Sequence, residues 1–319
     1  MKSRLIAVAP FEQVNMAAYQ EVFVADELSL QKEIDFLRNK HSIWKETEEI
    51  TEGCMAIFDM ESADPFFNRT NVKILIGQGL FNRKLENACL GMKAGSEKTV
   101  DVDQKKIKVC LRSVKQKYVP ELSDEMCQEL KLENVCDCKS YTAYLLQKQK
   151  ENIFDKKGWE VVDYVMNQVC EKSRFELAKS DWKRIKDLEM DRIRILAKLE
   201  GLELEKMTPE EFKGKIPVSS YYELIAMIQD SSWDKLLKYL LGCYYAKQDG
   251  TEYGEKEYKE SIEDYMKMWN STREDAKKII TYDYFIISEY ENYFYKKVRN
   301  YVKMNFFKEK DEDGNSVCR

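Results

Sequence analysis

The chain has 319 residues, 34% charged and 44% hydrophobic, with a formal net charge of −5. That balance suits a soluble protein with room for two domains, and it argues against a nucleic-acid partner held by a general basic surface. No apolar run approaches the roughly 18 residues that a membrane span needs and no charged start leads into a cleavable apolar segment, so a cytoplasmic protein without a membrane partner is expected.

Twelve glycines and five prolines are few for this length, so helix is the default expectation. Residues 5–10 read as a strand closed by Pro10, and residues 21–24 as a second. Ser29 is placed to cap a helix whose face carries Ile34, Leu37 and His41, with Trp44 beside them. Four strand candidates follow at 55–60, 71–76, 98–102 and 106–114. Between the second and third, Gly77 and Gly79 turn the chain into a short helix with Phe81, Leu85, Ala88 and Cys89 at helical spacing. Gly91 falls at that helix's C-cap, and Gly95 turns the chain into the next strand. Asp103-Gln104-Lys105 alone joins the last two strands, which predicts a tight turn.

Beyond Tyr118 the pattern becomes helical. Val162, Val165, Met166 and Val169 form one apolar stripe, and Ile185, Leu188, Ile195 and Leu199 another. Thr208-Pro209-Glu210-Glu211 is a helix start. Trp233, Leu236, Leu237, Leu240, Leu241 and Tyr244 form the cleanest apolar face, stopped near Gly250; Tyr258, Ile262, Tyr265, Met266 and Trp269 form the next. Ser271 and Glu274 are spaced as a capping box for one last helix running through Ile280, Ile287, Phe294, Val298 and Tyr301. From about 308 a charged tail is expected to be disordered.

Little here suggests a metal, a cofactor or acid–base chemistry. The nine cysteines are scattered, and the one close pair, Cys136 and Cys138, has no second pair or histidine near it, so no metal site is expected. Reduced thiols are the plain reading. His41 is the only histidine, and nothing near it resembles a nucleophile motif. Gly77-Gln78-Gly79 lacks the later residues of a phosphate loop, and no cofactor is expected.

Taken in order, Ile76-Gly77-Gln78-Gly79, Leu85-Glu86, Leu90-Gly91-Met92-Lys93-Ala94-Gly95 and Glu97 resemble the core of an FKBP-type peptidyl-prolyl isomerase domain, in the version found in the trigger factor family. Tyr118-Val119-Pro120-Glu121-Leu122-Ser123-Asp124-Glu125 resembles the segment by which that family leaves the domain for its helical body. The resemblance implies an α+β, mostly helical chain with three parts. A lead-in at 1–50 packs on the C-terminal body, a small antiparallel-sheet FKBP-like domain covers 51–115, and an elongated all-α chaperone body of trigger-factor/SurA-like type covers 116–319. The family's ribosome-docking domain and its Gly-Phe-Arg-x-Gly signature have no counterpart ahead of this passage, so ribosome docking is not expected of this chain.

Prolyl isomerisation needs no titrating group. Amide resonance sets a barrier of about 18–20 kcal/mol, and a catalyst lowers it by holding a twisted amide in an apolar pocket with a backbone N–H for the displaced carbonyl. The resemblance places that pocket at Phe67, Val72, Phe81, Asn82, Leu85 and Ile107. Several family features are lost. Asn82 stands for an isoleucine and Leu85 for the floor aromatic; the first-strand aromatic falls at Asp59, with Phe58 one place away and expected on the opposite face. The overhanging hairpin is reduced to the turn at Asp103. The expectation is therefore an ATP-independent chaperone for unfolded or nascent polypeptide with a degenerate isomerase domain, and Tyr253, Tyr290, Tyr293 and Tyr295 as exposed client-binding side chains. The alternatives are an active isomerase and an assembly scaffold for one partner.

Overall fold

A computed structural model describes residues 1–213, 216–310 and 316–317. The fold is α+β and mostly helical. In chain order the elements are β1 (Arg4–Ala7), α1 (Glu27–Lys40), β2 (Ile43–Thr47), β3 (Met55–Glu61), β4 (Arg69–Leu75), α2 (Arg83–Ala88), β5 (Glu97–Val102) and β6 (Lys105–Tyr118). There follow α3 (Asp124–Glu129), α4 (Cys138–Lys172), β7 (Arg174–Glu176), α5 (Lys179–Leu199), α6 (Pro209–Lys213), α7 (Tyr221–Gln248), α8 (Glu255–Trp269), α9 (Arg273–Ile279) and α10 (Tyr282–Asn305). Two compact units result, Val24–Gln149 and Met1–Phe23 together with Lys150–Arg319, with the division falling inside α4. The boundaries expected at 50/51 and 115/116 differ from these, because α1, β2 and α3 join the sheet unit.

In Val24–Gln149 the sheet order is β2-β6-β3-β4, with β5 also paired to β6, and every pairing is antiparallel. β6 is long enough to hold β5 against its first half and β2 against its last residues. β3 alternates strictly, with Ala56, Phe58 and Met60 buried. A core of these residues with Ile74, Ile76, Val100, Ile107 and Leu111 is closed by Leu85 and Cys89 of α2. β5 and β6 turn at Asp103 and Gln104, both left-handed (φ 53° and 67°), a two-residue hairpin of the mirror-image type that follows strand twist.

Sequence periodicity misses several details here. Asp26, not Ser29, caps α1: its carboxylate accepts the Ser29 N–H at 3.0 Å. Trp44 lies in β2 rather than on the preceding helix, and His41 is that helix's C-cap. The expected strand at 21–24 is a single parallel bridge from Glu21 to Phe307.

The helical unit is not all-α, because β1 pairs antiparallel with β7. Asp181 at the start of α5 fixes that ladder, accepting the N–H groups of Lys2 and Ser3 at 2.6 Å each. The expected stripe Val162, Val165, Met166 and Val169 is buried against Leu241, Phe294 and Val298. In the second stripe Ile185 is buried, whereas Leu199 is exposed. Gly242 lets α7 and α10 approach at backbone distance, since a Cβ there would overlap the Tyr290 carbonyl oxygen. The last helix is two helices. Thr272 caps α9, the chain breaks at Ile280, and Thr281 caps α10. The tail from about 308 falls mostly outside the described residues; Glu309–Lys310 pairs with Ser316–Val317.

Candidate functional site

The site predicted from sequence sits where α2 covers the sheet. The chain arrives from β4, and Gly77 and Gly79 take left-handed conformations (φ 88° and 67°) that glycine adopts without strain. Glu86, fully buried, reaches back from α2 into that loop. One of its oxygens accepts the N–H groups of Gly77 (3.0 Å) and Gly79 (2.7 Å), and the other accepts that of Phe81 (3.1 Å). A buried carboxylate is tolerated because three backbone donors satisfy it, and the loop is fixed because the carboxylate satisfies them. This brace holds Leu80 out to solvent, 82% exposed, and turns Phe81 inward.

Asn82 begins the helix as its N-cap, its side-chain oxygen accepting the Leu85 N–H at 3.1 Å. Among the described residues, the Asn82 N–H finds no acceptor within the protein. Leu85 and Ile107 are fully buried and Phe67 nearly so, while Val72 and Phe81 are half-buried against the same core. Five of the six predicted pocket residues thus share one cluster, and Asn82 lies at its edge.

Two side chains correct the expected pocket. Phe58, not Asp59, faces the core, in step with Ala56 and Met60 on the alternating β3; the extra residues at the register shifts fall on β4 and β6. Asp59 points outward. It accepts the Asn71 N–H at 2.9 Å and pairs with Arg112, and these bonds hold its carboxyl below the usual range. The second is Phe66, 47% exposed, which stacks on Phe81 at 5.4 Å and meets Phe67 edge-on at 4.9 Å. Arg69 lies over the outer face of Phe66. The three rings pack on one another beside the predicted pocket residues.

The turn that carries Phe66 is tied down by charge. Asp64 accepts the Phe66 N–H and pairs with Lys105 at 2.6 Å; the Lys105 bond, then the Phe66 N–H, keep its carboxyl low. Lys84 at the start of α2 pairs with Asp103 in the hairpin at 2.5 Å, so the shortened hairpin is held to the helix. Among the described residues no cluster of three or more His, Cys, Asp or Glu is placed to hold a metal, and no helix is long and apolar enough to cross a membrane.

The tyrosines expected as a client surface separate in the helical unit. Tyr253 and Tyr290 meet edge-on at 5.2 Å, and Tyr290 also meets Tyr239. Tyr293 donates to Asp249 at 2.5 Å and packs on the core. These three are half-buried helix contacts, and only Tyr295 is exposed. Tyr295 borders a hollow of about 120 Å³ with Phe154, Trp159, Val162 and Arg299. Trp159, 57% exposed, was not singled out by the sequence reading.

No family model matches the chain. It is 25% identical to the trigger factor of Aquifex aeolicus over 150 residues, covering 40% of this chain and 31% of that protein. It is 23% identical to that of Trichlorobacter lovleyi over 236 residues, 66% of this chain and 52% of that protein. It is 36% identical to that of the Aster yellows witches'-broom phytoplasma over 124 residues, 31% of this chain and 29% of that protein. The chain spans about half the length, or less, of these relatives. A solved trigger factor chaperone aligns with 96% of this chain and 73% of its own at 14% identity, with a TM-score of 0.38. The chain is related by sequence to the trigger factor family.

Proposed function

We propose that this chain is an ATP-independent chaperone that holds unfolded or nascent polypeptide in the cytoplasm, with its sheet unit retained as a degenerate prolyl isomerase. Kinship with the trigger factors supports the chaperone part. The single observation that supports the degenerate isomerase is the packing of three rings at the expected pocket. Phe66, Phe67 and Phe81 lie against one another, and the neighbouring hairpin is cut to Asp103-Gln104. A twisted amide needs an open apolar slot, and rings packed on one another leave less apolar face for it. For holding clients the relevant groups are apolar side chains left in solvent. Trp159, Met268, Trp269 and Met304 of the helical unit are exposed, and aromatic and methionine surfaces repack around varied partners. The free thiols fit a reducing compartment.

A second reading, an active isomerase, draws support from the unpaired N–H of Asn82, which stands at the family's carbonyl-binding position. One preparation tests both. Turnover of a short X-Pro peptide is followed by a protease-coupled assay, and aggregation of a chemically unfolded protein by light scattering without ATP. The expected result is suppressed aggregation and no turnover above the uncatalysed rate. Unsuppressed aggregation at stoichiometric chain refutes the holding function; clear turnover refutes the degenerate isomerase and selects the second reading.

A further inference from the structure

The paired cysteines Cys136 and Cys138, which the proposed function leaves unused, lie against one face of α3. Asp124, Cys127 and Gln128 stand three and four residues apart on that helix and so share a face. Asp124 accepts the Cys138 N–H at 2.8 Å, and Gln128 donates its side-chain N–H to the Cys136 carbonyl at 2.8 Å. Between these two ties Cys127 and Cys138 share one small apolar core. Cys127 is fully buried in the small core that also receives Cys138, whereas Cys136 is exposed. Ser140 pins the connecting segment, its hydroxyl accepting the N–H groups of Cys136 and Asp137 at 3.0 Å each.

We propose that Cys127, Cys136 and Cys138 form a thiol–disulfide exchange site that takes oxidising equivalents from a low-molecular-weight disulfide at Cys136 and stores them as a Cys127–Cys138 bond. The division of labour follows from protonation. Burial, then the neighbouring Asp124, pushes the Cys138 thiol up to about 12, and burial likewise raises Cys127. Since the thiolate is the nucleophile, neither attacks an outside disulfide readily, and the exposed Cys136 is the entry point.

Cys136 thiolate attacks one sulfur of the small disulfide, forming a mixed disulfide and releasing one thiolate. Cys138 gives its proton to the small thiolate just released and attacks the Cys136 sulfur, which expels the second small thiolate. Cys127 then attacks the Cys138 sulfur, and its proton passes to the Cys136 thiolate that leaves. One small disulfide is reduced to two thiols, two protein thiols become one S–S bond, and no other oxidant is consumed.

The test is incubation of the full chain with oxidised glutathione, acid quench, alkylation in denaturant and peptide mass spectrometry. The expected product is the Cys127–Cys138 cross-link. Cys136→Ser, an exposed and conservative change, forms it about tenfold more slowly or worse, because the entry thiolate is gone. Cys127→Ala stops at a Cys136–Cys138 bridge or a glutathione adduct on Cys136. A chain that carries glutathione on Cys136 while Cys127 and Cys138 stay fully alkylatable overturns the proposal. So does an unchanged rate in Cys136→Ser.

Discussion

Glu86 is the side chain on which the candidate pocket most depends, and its replacement has a calculable effect. Its two oxygens satisfy three part-buried N–H groups, of Gly77, Gly79 and Phe81. Removing an acceptor leaves each donor with a desolvation cost of about 1–3 kcal/mol. The loop borders solvent, so water recovers part of this, and Glu86→Ala is expected to cost about 3–5 kcal/mol locally. Glu86→Gln keeps one oxygen for Gly77 and Gly79 but turns an amide N–H toward the Phe81 N–H, and is expected to cost about 1.5–3 kcal/mol. Native-state hydrogen exchange on the full chain reads this directly. At tenfold per 1.4 kcal/mol, amides in residues 76–82 should exchange about ten- to hundredfold faster in Glu86→Gln, and faster still in Glu86→Ala. Peptides from α10 should be unchanged. Wild-type exchange of the Gly77, Gly79 and Phe81 amides in both variants refutes the brace.

Asp181 gives a pH signature. Burial alone would raise its carboxyl, but the Ser3 and Lys2 N–H bonds outweigh that and hold it below its unfolded value. Its contribution is therefore complete above the unfolded value, about 3.9, and is lost as pH falls through the lower, folded one. Asp181→Asn should cost about 1–3 kcal/mol at pH 7 in urea unfolding and flatten the loss of stability below pH 4; an unaltered acid limb contradicts the anchor. Gly242→Ala should destabilise the helical unit by about 3 kcal/mol or more, because the obstacle is the Tyr290 backbone rather than a movable side chain. Urea unfolding followed by tryptophan fluorescence checks it. Gln104→Gly should stabilise the sheet unit by about 1 kcal/mol, since Gln104 sits at φ 67° without glycine's freedom; a lower midpoint by hydrogen exchange of β5 and β6 contradicts this.

The corner at Gly77, the short helix after it and the tight turn at Asp103 were legible because glycine, helical spacing and loop length are local signals. Phe58 was not. β3 keeps its two-residue period, with Ala56, Phe58 and Met60 inward, and it was the alignment with the family that ran one residue out of step. Glu86 was matched as part of a motif, yet its burial runs against the ordinary preference of glutamate for water; the nearby run of unpaired loop N–H groups was the usable signal. β2 was missed because Trp44 continues the apolar spacing of α1, and the break at Ile280 because Ile279-Ile280 reads as uninterrupted helix face. Tyrosine serves helix contacts and solvent equally well, so Tyr253, Tyr290 and Tyr293 could not be told from Tyr295 by composition.

The β1–β7 ladder has a consequence for how the chain is made. A ribosome delivers residues in order, at about 5–20 per second in general. Arg4–Ala7 emerge early but pair with Arg174–Glu176, and Glu21 bridges Phe307. The Val24–Gln149 unit, whose strand pairings all lie within its own span, can be complete a few seconds before β7 is made for β1 and on the order of ten seconds before Phe307 is made for Glu21. Long sequence separation slows such closure further. The helical unit is therefore a late-maturing assembly whose strand β1 stays unpaired until β7 is made, and the finished sheet unit is an island folded inside a still-growing host.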